Sequence, residues 1–311
     1  MARQARRIDI DKDGFYHIRG QVAGAIGSRP LRNPEARRRL SEIVRHYTEL
    51  YFCEVAAYEP MDTHYHLPVR FQAFRSLSRE ELLALAERFY PGRYRPHKRW
   101  NARQWERFNR RLFNVSELMR NIQSEFATWY NRRHRRKGPF WAGRFQSTES
   151  DNPVETVLYV ELNAVRAGLT DRPEKWPHSS CRARKRGDDG WLMPLERLFG
   201  VATRREAEQL YWSHLYWRGT RPSKTGDAVI PITLARRMEF EMTGRQLPRG
   251  CYLARHDAFS RGVLVGTRET VAQHREALRR EGVYHTHKDP VPLGVANLYA
   301  LREQRSHYVR V

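Results

Sequence analysis

The most constraining stretch of this chain is Thr63-His64-Tyr65-His66-Leu67-Pro68-Val69-Arg70, because it alternates. Successive side chains of an extended strand point to opposite faces, so Thr63, Tyr65, Leu67 and Val69 share one face, and His64 and His66 the other. One face reads as buried and the other as chemical. Pro68 donates no ladder hydrogen bond, which puts this end of the strand at an edge or a bulge. Residues 53–58 read as a partner strand, separated from it by Glu59-Pro60-Met61-Asp62, a turn with Pro at its second position. Upstream, Phe15-Tyr16-His17-Ile18-Arg19-Gly20-Gln21-Val22 reads as a first strand. Residues 33–51 open with Asn33 as cap and Pro34 as first helical position, and carry Leu40, Ile43, Val44 and Tyr47 at helical spacing. The opening is therefore β-α-β-β.

Further along, residues 76–113 hold one helical piece and a stretch dense in Arg, Trp, Phe and Tyr. That mixture suits phosphates and unstacked bases, and equally an insertion packing Trp100, Trp105 and Phe108 onto the domain. Asn114 and Glu117 start a longer helix whose apolar stripe is Val115, Leu118, Met119, Ile122, Phe126, Trp129 and Tyr130. It runs into Arg132-Arg133-His134-Arg135-Arg136-Lys137, more cations than a helix C-terminus requires, and then Gly138, a natural stop. Phosphate contact is the expectation for that run. Asn152, Pro153 and Glu155 start another helix, on which Tyr159 and Asn163 lie four residues apart and so on one face.

Lys plus Arg number 57 against 35 Asp plus Glu, a formal charge of +22. This imbalance is too large for an ordinary enzyme of small metabolites and points to a polyanion. No apolar run approaches the roughly 20 residues needed to span a membrane, so nucleic acid is the expected partner and the cytoplasm, at the nucleoid, the expected place. Cys53, Cys181 and Cys251 lack any paired spacing and read as ordinary thiols.

Two neutral imidazoles and one amide oxygen can hold a divalent ion with open positions, which in a basic protein suit a phosphate oxygen. Tyr159 is then placed to attack the phosphorus, conserving the energy of the broken bond in a phosphotyrosine. Each motif alone is weak: histidine pairs on strands are commonly packed or exposed without a metal, and Tyr159 by itself could be core.

Taken together, the motifs resemble those of the REP-associated tyrosine transposases, within the HUH single-strand transposases of insertion sequences. His64-Tyr65-His66 is similar to the HUH motif, and Leu158-Tyr159-Val160-Glu161-Leu162-Asn163-Ala164-Val165-Arg166 to the helix with the single catalytic tyrosine. Phe140-Trp141-Ala142-Gly143-Arg144-Phe145-Gln146-Ser147 and Lys175-Trp176-Pro177-His178-Ser179-Ser180 resemble family segments in the same order. The resemblance spans roughly residues 14–183. It implies an α+β, ferredoxin-like antiparallel sheet with flanking helices, Mg2+ or Mn2+, and a single-stranded DNA substrate presented by a hairpin. It also implies a covalent 5′-phosphotyrosine with a free 3′ hydroxyl. Carried over, His64, His66 and Asn163 are metal ligands and Tyr159 is the nucleophile; Arg19, Arg132, Arg133, Arg135, Arg136, Lys137, Arg144 and Arg166 are expected on DNA. Two departures stand out: Asp62-Thr63 replaces the family's Pro-Asn, and Asn163-Ala164-Val165-Arg166 its Asn-Pro-Val-Arg.

After the basic and Gly/Asp-rich residues 182–190 the composition resets, so the expected division is a catalytic domain over 1–187 and a mainly helical accessory domain over 188–311. Helices are expected from Thr203 through Trp217, near 231–243 and near 267–281, with a turn and short strand over 259–266. His285-Thr286-His287 repeats the HxH pattern without a tyrosine helix beside it and is assigned no metal. A monomer is expected rather than a dimer. The competing functions are a hairpin-binding protein that no longer cuts, and a metal-dependent phosphoesterase using water.

Overall fold

The computed structural model describes residues 9–24, 27–199, 202–222, 224–243, 262–280, 289–292 and 298–302. His285-Thr286-His287, Cys251, Arg305, Arg310 and the basic residues 2–7 lie outside this set. The chain begins β1 (Gly14–Gln21), α1 (Pro34–Thr48), β2 (Cys53–Val55), β3 (Glu59–Pro60), β4 (His64–Phe71). It continues α2 (Arg79–Phe89), α3 (Ala102–Arg111), α4 (Val115–Arg133), β5 (Gln146–Ser150). Strands β2, β4, β1 and β5 lie side by side in that order, each antiparallel to its neighbour, with β3 pairing β4 beyond the end of β2. With α1 and α4 as the two crossovers this is the β-α-β-β-α-β arrangement of a ferredoxin-like sheet.

Local chemistry starts the two crossover helices. The Asn33 side chain accepts from the Glu35 and Ala36 amides at 2.8 and 3.3 Å, and Asn114 does the same for Ser116 and Glu117 at 2.8 and 3.3 Å. Their apolar stripes, including Leu40, Ile43 and Val44 on α1 and Leu118, Ile122 and Phe126 on α4, close over Tyr65, Leu67, Val69 and Phe71 of β4. The alternation expected of β4 is thus present, with its odd-numbered side chains in this core.

The turn before β4 is tighter than expected. Glu59 and Pro60 are themselves paired with His66 and Tyr65, and the Met61 amide donates to the His64 carbonyl at 2.8 Å, so the reversal is confined to residues 61–63. Pro68 sits in the interior strand, opposite His17 of β1. A strand residue's N–H and C=O point to the same side, and the Pro68 carbonyl accepts from Ala56 at 2.9 Å, where the backbone bulges between β2 and β3. The N–H that proline lacks would have pointed into that bulge, so no regular ladder bond is lost.

Residues 76–113 resolve toward packing. Trp105 and Phe108 are buried in a satellite core with Leu77, Leu82, Leu112 and Phe113, and Trp100 packs against it, 4.8 Å from Trp105 between ring centres.

The opposite face of the sheet carries α5 (Pro153–Glu161), α6 (Asn163–Arg166), α8 (Leu195–Phe199), α9 (Arg204–Gly219) and α10 (Ile232–Thr243), while α7 (Ser180–Arg186) reaches both cores, with Cys181 in theirs and Ala183 in that of α1 and α4. One apolar cluster joins Val157, Leu158, Val160 and Leu162 of the α5 region to Tyr211, Leu215, Trp212 and Met238, so a single core crosses the compositional break at 187–188. The C-terminal residues add more than helices: β6 (Gly262–Thr267) runs parallel to β5, and after α11 (Arg268–Arg280), β7 (Val291–Pro292) and β8 (Leu298–Arg302) extend the same sheet. No helix among the described residues is long and apolar enough to cross a membrane.

A histidine pair and a tyrosine helix on one face of the sheet

Register decides what stands around His64 and His66. Strand β1 pairs Gln21 with His64, Arg19 with His66 and His17 with Pro68, and residues opposite one another in an antiparallel ladder share a face. His17 and Arg19 are thereby brought beside the histidine pair. The ring centres of His64 and His66 are 4.9 Å apart at an interplanar angle of 82°. His17 stacks on His66 at 5.0 Å and 26°, with its Nε2 2.9 Å from His66 Nδ1. His64 Nδ1 lies 3.0 Å from Thr63 Oγ1.

Helix α5 brings Tyr159 onto this group. Asn152 caps it by accepting from the Glu155 amide at 3.1 Å, and Pro153 follows at the first helical position. The Tyr159 ring centre lies 6.1 Å from that of His66 and 5.6 Å from that of His17, edge-on to both. Tyr159 is 3% exposed and belongs to the apolar cluster beneath α9, and His66 is 2% exposed, so both groups are covered by neighbouring side chains.

Tyr159 and Asn163 do not share one continuous helix. Helix α5 ends at Glu161 and α6 begins at Asn163, and the Asn163 Nδ2 donates to the Val160 carbonyl at 3.1 Å across the break. That bond fixes the plane of the buried Asn163 amide and turns Oδ1 away from the carbonyl.

Electrostatics favour the uncharged form of His64. Burial first, then the positive charge of Arg19, push the pKa of His64 down to about 3, so its ring is neutral at ordinary pH. Arg19 Nη1 also donates to Gln146 Oε1 at 3.3 Å. Asp62, whose carboxylate would otherwise crowd the site with negative charge, is taken up by Arg37 at 2.9 Å and Arg29 at 3.8 Å. Trp176 braces the same hairpin, donating Nε1–H to the Pro60 carbonyl at 2.8 Å while the Arg37 guanidinium lies 4.4 Å over its ring.

Buried acids surround the tyrosine helix. Glu161 accepts from Ser180 Oγ at 2.6 Å and from the Tyr211 hydroxyl, and Glu155 is paired with Arg218 at 2.9 Å. Glu59, opposite His66, is fully buried, and that burial, aided by the charge of Glu161, holds its carboxyl well above the usual range.

The expected DNA-binding cations divide. Arg132, Arg133, Arg135, Arg136, Lys137 and Arg144 are exposed, with Arg133 bonded to Glu35 at 3.1 Å. Arg19 stands beside the histidines. Arg166 corrects the expectation: it is buried and donates through Nη2 to the Arg218 and Arg221 carbonyls at 3.2 and 3.3 Å, fastening α6 to the end of α9 rather than facing solvent. His17 was missed by sequence reasoning. Its only signal was its shared parity with Arg19 on the first strand, and nothing local reveals which residues of a distant strand it will meet.

Among the described residues no group of three or more His, Cys, Asp or Glu side chains is arranged to hold a metal ion. A site here depends on the two imidazoles and an amide. Both imidazoles have Nδ1 within hydrogen-bond distance of a neighbouring side chain, which makes Nε2 the candidate ligand atom of each, and two imidazoles with an amide oxygen are donors that a divalent first-row ion can take. No family model matches the chain, and no curated protein matches it. Among solved structures, one of a REP-associated tyrosine transposase bound to a REP hairpin is similar at a TM-score of 0.40 and 15% identity, over 60% of this chain and 87% of that one.

Proposed function

We propose that this protein is a metal-dependent single-stranded DNA transposase or endonuclease, which cleaves and rejoins DNA beside hairpins of the REP-palindrome type through Tyr159. The observation that carries this proposal is the packing of Tyr159 against the strand that holds His64 and His66, with ring centres 6.1 Å apart for Tyr159 and His66. Four motifs in the order of the HUH transposases, and a formal charge of +22, support it.

His64, His66 and Asn163 would hold the cation. When bound, Mg2+ or Mn2+ supplies Lewis acidity at the scissile phosphate and a template for its oxygens. The Tyr159 oxygen attacks phosphorus as its proton leaves to solvent or a base. The P–O3′ bond breaks and the 3′ oxygen takes up a proton, leaving a free 3′ hydroxyl and a 5′ phosphate esterified to Tyr159. Attack by another 3′ hydroxyl reverses the step and rejoins the strand. Arg19, beside the histidines, would pair with the phosphate, and the exposed run 132–137 with the hairpin backbone.

The near-complete burial of Tyr159 favours one second reading, a hairpin-binding protein that no longer cuts. Incubation with single-stranded hairpins from the DNA flanking the coding region, in Mn2+ and in EDTA, separates the two. The expected result is a denaturation-resistant protein–DNA adduct that needs metal and is lost in Tyr159→Phe. Tight binding without an adduct in any metal supports the binding-only reading, and cleavage without an adduct points to water as nucleophile.

A further inference from the structure

His17 has no part in the chemistry above, yet it packs directly against the histidine pair. Strand register places it diagonal to His66 on the same face, and the two rings stack at 5.0 Å with His17 Nε2 2.9 Å from His66 Nδ1. Both residues are 2% exposed, so neither ring nitrogen of this pair exchanges its partner for bulk water without the site opening. A hydrogen bond between two imidazoles requires that one nitrogen carry the proton and the other accept it. A histidine that binds a cation through Nε2 keeps its proton on Nδ1, and the group that accepts this proton fixes both the tautomer and the ring plane.

We propose that His17 is a positioning residue for His66: its Nε2 accepts from His66 Nδ1–H and holds the His66 ring in the tautomer whose Nε2 faces the cation. Thr63 Oγ1, 3.0 Å from His64 Nδ1, does the same for the other imidazole. The two ligand histidines are thus held differently. His64 leans on its own neighbour in sequence, whereas His66 depends on a residue 49 positions away that only the β1–β4 pairing supplies. The stacked His17 ring also stands 5.6 Å from that of Tyr159, so one side chain sets the ligand and backs the tyrosine.

This proposal rests on the cation site of the proposed function, and the test separates the two. Mn2+ binding to the full chain without DNA is followed by electron paramagnetic resonance of free Mn2+ for the wild type, His17→Phe, His17→Gln and the double variant His64→Ala/His66→Ala. Removal of a supporting hydrogen bond of this kind weakens metal binding by about 10- to 100-fold. His17→Phe should show that weakening, and His17→Gln, whose amide oxygen can accept from His66 Nδ1–H, should recover most of the affinity. Long-range 1H–15N NMR of the imidazoles in the wild type gives a second measurement independent of any variant's folding, with His66 expected to carry its proton on Nδ1. Wild-type affinity in His17→Phe, equal weakening in His17→Phe and His17→Gln, or a His66 proton on Nε2 overturns the role of His17 and leaves the cation site standing. No Mn2+ binding by the wild type, or binding that survives in the double histidine variant, overturns both.

Discussion

Replacing Arg218 with methionine should loosen the helix that carries Tyr159. Arg218 is on α9 and Glu155 in the first turn of α5; their side chains are 1% and 4% exposed and 2.9 Å apart. Burial pushes the Glu155 carboxyl above its ordinary value, and the charge of Arg218 pulls it back. Without the guanidinium a buried carboxylate loses its partner, which costs about 3–5 kcal/mol. At about 2.1 cal/mol/K of unfolding entropy per residue, each kcal/mol moves the Tm of a 311-residue chain by roughly 1.5 °C, so a fall of about 5–8 °C is expected. The sign of the pH dependence follows from the raised pKa. The native carboxyl binds its proton more tightly than the unfolded one, so the deficit is smallest below the unfolded value of 4.5 and grows as pH rises through the native value. Arg218→Met should therefore fall further behind the wild type at about pH 8 than at about pH 5, and Glu155→Gln/Arg218→Met should regain most of the stability. Urea unfolding followed by circular dichroism measures all three. A deficit under about 1 kcal/mol at the higher pH, no larger than that of an exposed ion pair, would refute the idea that this ion pair holds α5 in place.

Gly20→Ala should destabilise by about 1–3 kcal/mol in the same urea assay. A Cβ there would meet the Tyr65 ring at 2.3 Å, and Tyr65 is locked in the α1–α4 core; an unchanged midpoint would mean that the ring gives way freely. Glu59→Gln should be most stabilising at high pH, because the Glu59 carboxyl, held well above its ordinary 4.5, progressively costs stability as pH rises above that value and the amide does not. Parallel pH profiles for the two proteins would count against it. Alanine at Arg132, Arg133, Arg135, Arg136 and Lys137 should flatten the salt dependence of single-strand binding by about 0.7 in log–log slope for each phosphate no longer neutralised; an unchanged slope would assign the run to solvent.

Much of the framework was legible because it depends on short-range rules. Asn33, Asn114, Asn152 and Thr203 each cap a helix where side-chain chemistry predicted one. The two-residue period of β4 separated its core face from its histidine face before any partner was known. Where a rule weighs only neighbours, it failed at pairings made at a distance. The turn expected at 59–62 lies at 61–63 because pairing of Glu59 and Pro60 with His66 and Tyr65 outweighs turn propensity. The continuous helix expected from Tyr159 to Asn163 is broken at Leu162, where the Asn163 amide reaches back to the Val160 carbonyl.

Composition and periodicity alone determined the basic character, the β-α-β-β opening, the two imidazoles on one strand face and a helix bearing Tyr159. Only the tertiary structure decided which residues meet them. The β1–β4 register brought His17 and Arg19 to His66, α9 took Arg166 and Glu155 into the interior, and one core joined the tyrosine helix to residues beyond the compositional break. The physical reason is that capping and alternation are written within a few residues, whereas register and burial are set by the summed packing of segments far apart in the chain.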